Sequence, residues 1–200
     1  MFITFEGGEG SGKSTQVRLL EAKLKAEGGN PVVTREPGGT PEGEAIRNIL
    51  VNGKPDSLSP QSETLLNYAA RDLHLRRLIR PALASGQTVI CDRFMDSTRA
   101  YQAIAGGAPL SLIDLLEAEI VANTIPDRTL IFDLDPELGL ARARSRGGAD
   151  RFEQKGLAFH QRLRQGFLEI ASKNPGRCRI IDASQEVDLV AHAVWQAIYG

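Results

Sequence analysis

This sequence predicts an α/β fold, a five-stranded parallel sheet with helices on both faces, and three observations carry that prediction. Short apolar runs rich in Val, Ile and Phe recur at Phe2–Phe5, Pro31–Thr34, Thr88–Cys91, Thr129–Leu134 and Arg179–Ile181. They show little polar alternation, as strands buried on both faces should. Helical patterns lie between them, and this alternation implies a parallel sheet with right-handed crossovers. The first run leads directly into Gly7-Gly8-Glu9-Gly10-Ser11-Gly12-Lys13-Ser14, with a helical pattern after it. Ligands of such sheets collect at the carboxyl ends of the strands, so each strand end is a candidate for chemistry.

The stretch after the first strand fits G-x-x-x-x-G-K-[ST], the phosphate-cradling loop of the P-loop NTPase fold. Glycine takes the dihedrals that turn backbone amides inward around a polyphosphate, and the following helix aims its first amides at the same anion. Gly7 to Thr15 is therefore the predicted nucleotide-binding stretch, with Lys13 on the β/γ-phosphates and the Ser14 hydroxyl on Mg²⁺. A plain Gly-rich βα turn is the alternative, and the strand-before, helix-after context speaks against it.

The bulk numbers bound what else the chain can be. Two hundred residues suit one domain, and 42% hydrophobic with 24% charged residues is ordinary for a soluble globular protein. A formal charge of −1 creates no field that would call for nucleic acid or an anionic membrane as partner. Cys91 and Cys178 make no metal spacing, and Cys91 ends an apolar run as a buried reduced thiol would. The strand at the start leaves no room for a signal peptide, and no apolar run reaches membrane-spanning length, so a cytoplasmic location is expected.

In chain order, the first helix should run to about Glu27 and stop at Gly28-Gly29. The second strand is followed by Arg35-Glu36-Pro37-Gly38-Gly39-Thr40, with Thr40 a helix cap before Pro41. Arg35 thus reads either as a phosphate ligand or as a surface loop arginine. Ser59-Pro60 repeats the cap signal and opens the longest helix, ended by Gly86 and kinked or briefly broken at Pro81. Leu65, Ala69 and Leu73 form one apolar row on it, and Leu75, Ile79 and Leu83 another. Arg71 falls among apolar neighbours, whereas Arg76, Arg77 and Arg80 read as a solvated face.

The third strand ends in Asp92-Arg93-Phe94, which can serve Mg²⁺ water and an acceptor phosphate or can form a structural ion pair. Ser97 to Gln102 follows as a polar cluster suited to a base and sugar. An amphipathic helix then carries Leu110, Ile113, Leu116 and Ile120 and stops near Pro126. Beyond the fourth strand come Arg142, Arg144, Arg146, Gly147-Gly148 and Asp150-Arg151. This reads as a short arginine lid hinged on the glycines, spanning about 142–156, or as an ordinary basic helix. The last helix carries Val187, Val190, Val194 and Ile198 on one face. His74, His160 and His192 make no triad or metal pattern, and Trp195 reads as packing.

Taken whole, the chain resembles the thymidylate kinases, P-loop nucleoside monophosphate kinases that convert dTMP to dTDP. Ile90 to Gln102 is similar to the family signature around Asp-Arg-aromatic, and Thr34 to Thr40 is similar to the bacterial members. Glu9 in the P-loop, with arginines in the lid, also looks like the bacterial type. The resemblance implies ATP and dTMP as substrates, Mg²⁺ on Ser14 and Asp92, and a homodimer packed through helices. It implies that Arg93 and Arg35 hold the dTMP phosphate and that Glu9 meets the sugar 3′-hydroxyl. Arg71 would donate to a thymine carbonyl, Thr98 and Gln102 would read the base edge, with Ser97 beside them, and Tyr101 would crowd a ribose 2′-hydroxyl. Lys13, Arg93, Asp92 and the lid residue Arg146 would serve the transfer, with Arg144 and Arg151 near Arg146. Arg142 and the Asp182-Ala183 turn would flank adenine. The chain departs from the family pattern at Asn67, where a Phe usually stacks on thymine. A different small-molecule kinase is one rival reading. A P-loop GTP switch is another, but the chain contains no Asn-Lys-x-Asp and no Asp-x-x-Gly.

Overall fold

The computed structural model describes residues 1–52, 54, 56–145 and 151–200. All five predicted strands form: β1 (Phe2–Gly7), β2 (Val32–Arg35), β3 (Val89–Asp92), β4 (Arg128–Asp133) and β5 (Cys178–Asp182). They make one parallel sheet in the order β2-β3-β1-β4-β5. The register aligns the strand ends, pairing Phe5 and Arg35 with Asp92, Gly7 with Phe132, and Asp133 with Asp182. Every predicted functional turn therefore opens at one edge of the sheet.

Side chains along a strand point alternately to its two faces. Ile3, Phe5, Leu130 and Phe132 pack on one face with Val17 and Leu20 of helix α1 (Lys13–Ala26) and Val190, Val194 and Ile198 of helix α9 (Val187–Tyr199). Trp195 packs against this cluster, as expected, while Val187 is 50% exposed because it sits at the helix start beyond the sheet. On the opposite face lie Phe2 and Ile131, covered by helix α3 (Pro60–His74), the π-helical turns that follow it, and helix α8 (Leu157–Lys173).

Local signals set the helix ends. Gly28 takes φ +84, and the Gly29 amide reaches back to Leu24 O (2.9 Å), ending α1 where the two glycines predicted. Thr40 Oγ1 accepts from Gly43 N (3.0 Å) at the start of helix α2 (Pro41–Val51), and Ser59 Oγ accepts from Ser62 N (3.1 Å) at the start of α3. The break expected at Pro81 is a π-helical turn, Leu75–Ile79, placed just before it and followed by helix α4 (Arg80–Ala84). Proline has no amide to give to the preceding turn, and the wider turn, with Arg80 N bonded to Leu75 O, absorbs that loss.

Two helix-face readings need correction. Leu75 and Ile79 are fully buried, but the Leu65 row faces outward, with Leu65 52% exposed. The inner face of α3 is instead Tyr68 with the polar residues Glu63, Thr64, Arg71 and His74. Apolar periodicity picked the wrong stripe because this helix turns its charged groups inward. Arg76 and Arg77 do pair at the surface, with Asp72 and Glu42. Arg80 does not belong with them: it donates to Ile120 O (2.7 Å), Val121 O (3.3 Å) and Thr124 Oγ1 (3.0 Å). It closes the carboxyl end of the turn Glu117–Val121, which follows helix α6 (Leu110–Leu116).

Candidate active site

The loop between β1 and α1 has the conformation its glycines predict. Gly10 takes φ +66 and Gly12 φ +83, and a Cβ on Gly10 would overlap the Gly139 carbonyl. Lys13 lies against the loop, Nζ donating to Gly8 O (2.8 Å), Gly7 O (3.1 Å) and Ser11 Oγ (3.1 Å). Burial and the neighbouring Arg93 cation lower its pKa to about 8, and the Asp92, Glu9 and Glu6 carboxylates counter only part of this.

Ser14 and Asp92, the predicted metal pair, are brought together across 78 residues, Ser14 Oγ donating to Asp92 Oδ2 (2.7 Å). A hydroxyl and a carboxylate beside a phosphate loop are the hard oxygen donors that suit Mg²⁺. Among the described residues no group of three or more His, Cys, Asp or Glu side chains could hold a metal without help.

Arg93 follows Asp92 with φ +71, a costly conformation for a non-glycine residue. Its amide donates to Phe5 O (2.9 Å), and Glu6 accepts from the Phe94 amide (2.8 Å) and the Ser97 hydroxyl. The turn is thus pinned from both sides. Arg93 Nη1 reaches Gly7 O (2.8 Å) and Ser97 Oγ (3.3 Å), and Nη2 reaches Glu9 Oε1 (2.9 Å). Its partner is Glu9, not Asp92, so the Asp-Arg dipeptide is no self-contained ion pair. Glu9 also accepts from Tyr101 OH. Burial alone would raise the Glu9 pKa, but Arg93 and Lys13 outweigh it and hold it at about 2. Glu6 goes the other way: burial and the neighbouring Asp96 carboxylate outweigh Arg93 and the bonds from Ser97 and the Phe94 amide, and lift it to about 7.

A cleft of about 110 Å³ opens from Glu9 and Arg93 past Arg71, Phe94, Ser97, Thr98, Tyr101 and Gln102. Arg71 is 1% exposed; Nε donates to Glu36 Oε2 (2.7 Å) and Nη2 to Thr98 Oγ1 (2.9 Å). Its Nη1 meets no acceptor among the described residues. Glu36 also binds His74 Nδ1 (2.9 Å), whose Nε2 lies 2.7 Å from Thr34 Oγ1. Asn67 lines the cleft and donates to Glu63 O (2.9 Å), while Tyr68 turns into the core at 1% exposure. The aromatic walls are Phe94, Tyr101 and Phe152, the last from the lid stretch.

A second cleft, about 400 Å³, runs along Gly10 to Thr15, Arg35, Asp92 and Ala143. Arg35 is exposed there and paired with Glu44 (2.9 Å). The two clefts share Glu9, Glu36, Arg47 and Arg93. Arg142 Nη1 donates to Ala183 O (3.2 Å), joining the predicted adenine-flanking residues, with Asp182 beside them at the end of β5. Arg142 and Arg144 belong to the last turn of helix α7 (Pro136–Arg144). Arg146 lies outside the described residues.

Arg151 differs from the lid arginine expected of it. It is fully buried, with Nη1 donating to Glu63 Oε1 (2.7 Å), Nε to Leu50 O (2.8 Å) and its amide to Val51 O (2.9 Å). It anchors the chain within the lid stretch. Sequence reasoning missed Glu6, Glu36, Glu63 and Arg47. Glu36 had a signal in its place beside Arg35 at a strand end, but Glu63 looked like an ordinary acid in a first helical turn.

A P-loop whose cleft adjoins a second, polar cleft through the shared Arg47 and Arg93 defines a class: nucleoside monophosphate kinases, which move a phosphoryl group between two nucleotides. The family model described as thymidylate kinase matches residues 5–194. A thymidylate kinase of Caulobacter vibrioides is 60% identical over 96% of this chain and 93% of its own length. That of Magnetococcus marinus is 52% identical over 100% and 95%. A crystal structure of thymidylate kinase from Ehrlichia chaffeensis superposes with a TM-score of 0.82 at 39% identity, covering 100% of this chain and 98% of that one. The chain belongs to the thymidylate kinase family, and its reaction is phosphorylation of dTMP to dTDP with ATP as donor. No helix among the described residues is long and apolar enough to cross a membrane.

Proposed function

We propose that ATP occupies the P-loop cleft, that dTMP occupies the adjoining cleft, and that transfer runs in line across the Glu9–Arg93 seam. The sharing of that seam by both clefts is the observation that carries this reading. Gly7 to Thr15 cradle the donor phosphates, and Arg142, Asp182 and Ala183 flank adenine. Arg93 and Arg35 hold the acceptor 5′-phosphate, which requires Arg35 to exchange Glu44 for the ligand. Glu9 meets the 3′-hydroxyl, and Tyr101 closes the space of a 2′-hydroxyl. Arg71, Thr98 and Gln102 read the base, with Ser97 holding the arginine beside it.

A phosphate oxygen is already a competent nucleophile, so no general base is needed, and positioning and electrostatics carry the rate. Lys13 and Arg93 offset the developing charge. Mg²⁺, held by Ser14 and Asp92, neutralises phosphate charge when bound. Arg146 completes the lid in this reading, on the strength of the resemblance. We read residues 1–200 as one domain with the lid segment at about 142–156, working in the cytoplasm.

A coupled ADP-release assay across dTMP, dUMP, CMP, AMP and GMP tests the acceptor. The expected result is dTMP fastest, and faster turnover with a purine or CMP would overturn it. A homodimer is also proposed, resting on the apolar side chains that α2, α3 and α6 leave exposed, Ile49 (53%), Leu65 (52%) and Leu115 (59%). Sedimentation at micromolar concentration should give a dimer mass, and a monomer there refutes it.

A further inference from the structure

The polar wall of the acceptor cleft has a direction, and Glu63 sets it. Glu63 is 3% exposed and divides its two oxygens between two donors. Oε1 accepts from Arg151 Nη1 (2.7 Å), and Oε2 accepts from Gln102 Nε2 (2.8 Å). A carboxylate can only accept and a guanidinium can only donate, so neither bond can be reversed. The Gln102 amide therefore has one orientation. Its Nε2 is committed to Glu63, and Oε1, to which no described residue donates, is the group left for the cleft it lines. Arg71 offers the complementary group. Its Nε and Nη2 are committed to Glu36 and Thr98, and Nη1 remains as a donor.

We propose that Glu63 is a positioning residue for base selection: by fixing the Gln102 amide it makes the cleft present a donor beside an acceptor. That pair matches the O4 acceptor and N3–H donor of a 4-oxo pyrimidine. A 4-amino pyrimidine offers an amine and a bare N3 at the same places, setting donor against donor and acceptor against acceptor. Buried polar groups left mismatched in this way discriminate strongly. Through Arg151 the same carboxylate is tied to the lid stretch, so the base wall and the lid anchor share one residue. The inference rests on the acceptor reading above.

Glu63→Gln tests it, because the substitution keeps size and changes only polarity. Arg151 still demands an acceptor, so the new amide must turn its oxygen to Arg151 and its NH₂ to Gln102. Gln102 then accepts through Oε1 and presents Nε2, a donor, to the cleft. The kcat/KM ratio of dTMP to dCMP should fall about 10- to 100-fold, mainly through KM, while the ratio of dTMP to dUMP stays unchanged. The double variant Glu63→Gln/Gln102→Glu presents a carboxylate oxygen again and should regain the dTMP preference. A loss shared equally by dTMP, dUMP and dCMP would make Glu63 merely structural and overturn the proposal. Should the single variant not fold, the double variant decides alone: a retained ratio supports the proposal and a collapsed one sinks it. Failure of the unsubstituted protein to phosphorylate dTMP would instead refute the acceptor reading.

Discussion

Replacing Lys13 with alanine should lower kcat about 10²- to 10³-fold and leave the fold intact. The rate effect follows from position: the ammonium lies on the Gly7 and Gly8 carbonyls, in the loop that wraps the donor phosphates. The stability effect has the opposite sign from most buried substitutions. Burial and Arg93 disfavour the Lys13 cation, lowering its pKa from 10.5 to about 8. A base whose folded pKa lies below its unfolded value destabilises the fold at all pH below the lower of the two, and the cost is relieved as pH rises from about 8 to 10.5. At pH 7 the alanine variant escapes that cost, so its Tm should match or exceed that of the unsubstituted protein. The same titration affects ATP. Binding favours the charged ammonium, so affinity should weaken about tenfold per pH unit above pH 8, and this slope should vanish in Lys13→Ala. Coupled assays give kcat, and calorimetry at pH 7 and 9 gives affinity and Tm. Near-normal turnover in the variant would remove Lys13 from the transfer step.

What could be read from the sequence was what local chemistry determines. The P-loop needs positive φ at Gly10 and Gly12, and only a short list of residues supplies it, so the motif declared itself. Asp92 and Arg93 were legible because parallel strands deliver their ends to one edge. The polar scaffold behind the cleft was not legible. Glu36 lies 35 residues from Arg71, and Glu63 lies 88 residues from Arg151. A carboxylate and its cation so far apart look like two surface charges until topology brings them together. That is also why α3 misled: a helix that buries Glu63, Arg71 and His74 turns Leu65 outward, reversing the usual sense of an amphipathic pattern. Arg151 was read by proximity to other arginines, but a fully buried guanidinium goes where its carboxylate is.

Arg93→Ala is expected to be the most damaging substitution on the acceptor side, lowering kcat/KM for dTMP about 10³-fold. Charge-assisted hydrogen bonds to a phosphate contribute about 1.5–3 kcal/mol each, and the guanidinium fork supplies two. Arg93→Lys keeps the charge without the fork and should recover only part of the loss. Stability should fall as well. Glu9 is held at about 2 against an ordinary 4.5, chiefly because Arg93, with Lys13, outweighs the cost of burial. For a carboxylate whose folded pKa is depressed, the stabilisation is full above pH 4.5 and is lost as pH falls through 4.5 toward 2. Without Arg93 the Glu9 pKa moves up, and that increment shrinks. The unsubstituted protein should therefore lose stability more steeply than Arg93→Ala across this window, which urea titrations at pH 3 to 7 would measure. The alanine would also inherit φ +71 without the bonds to Gly7 and Glu9 that hold it there. If Arg93→Ala instead raised KM for ATP and left dTMP kinetics untouched, the seam between the clefts would belong to the donor, and the assignment of the acceptor cleft would have to be redrawn.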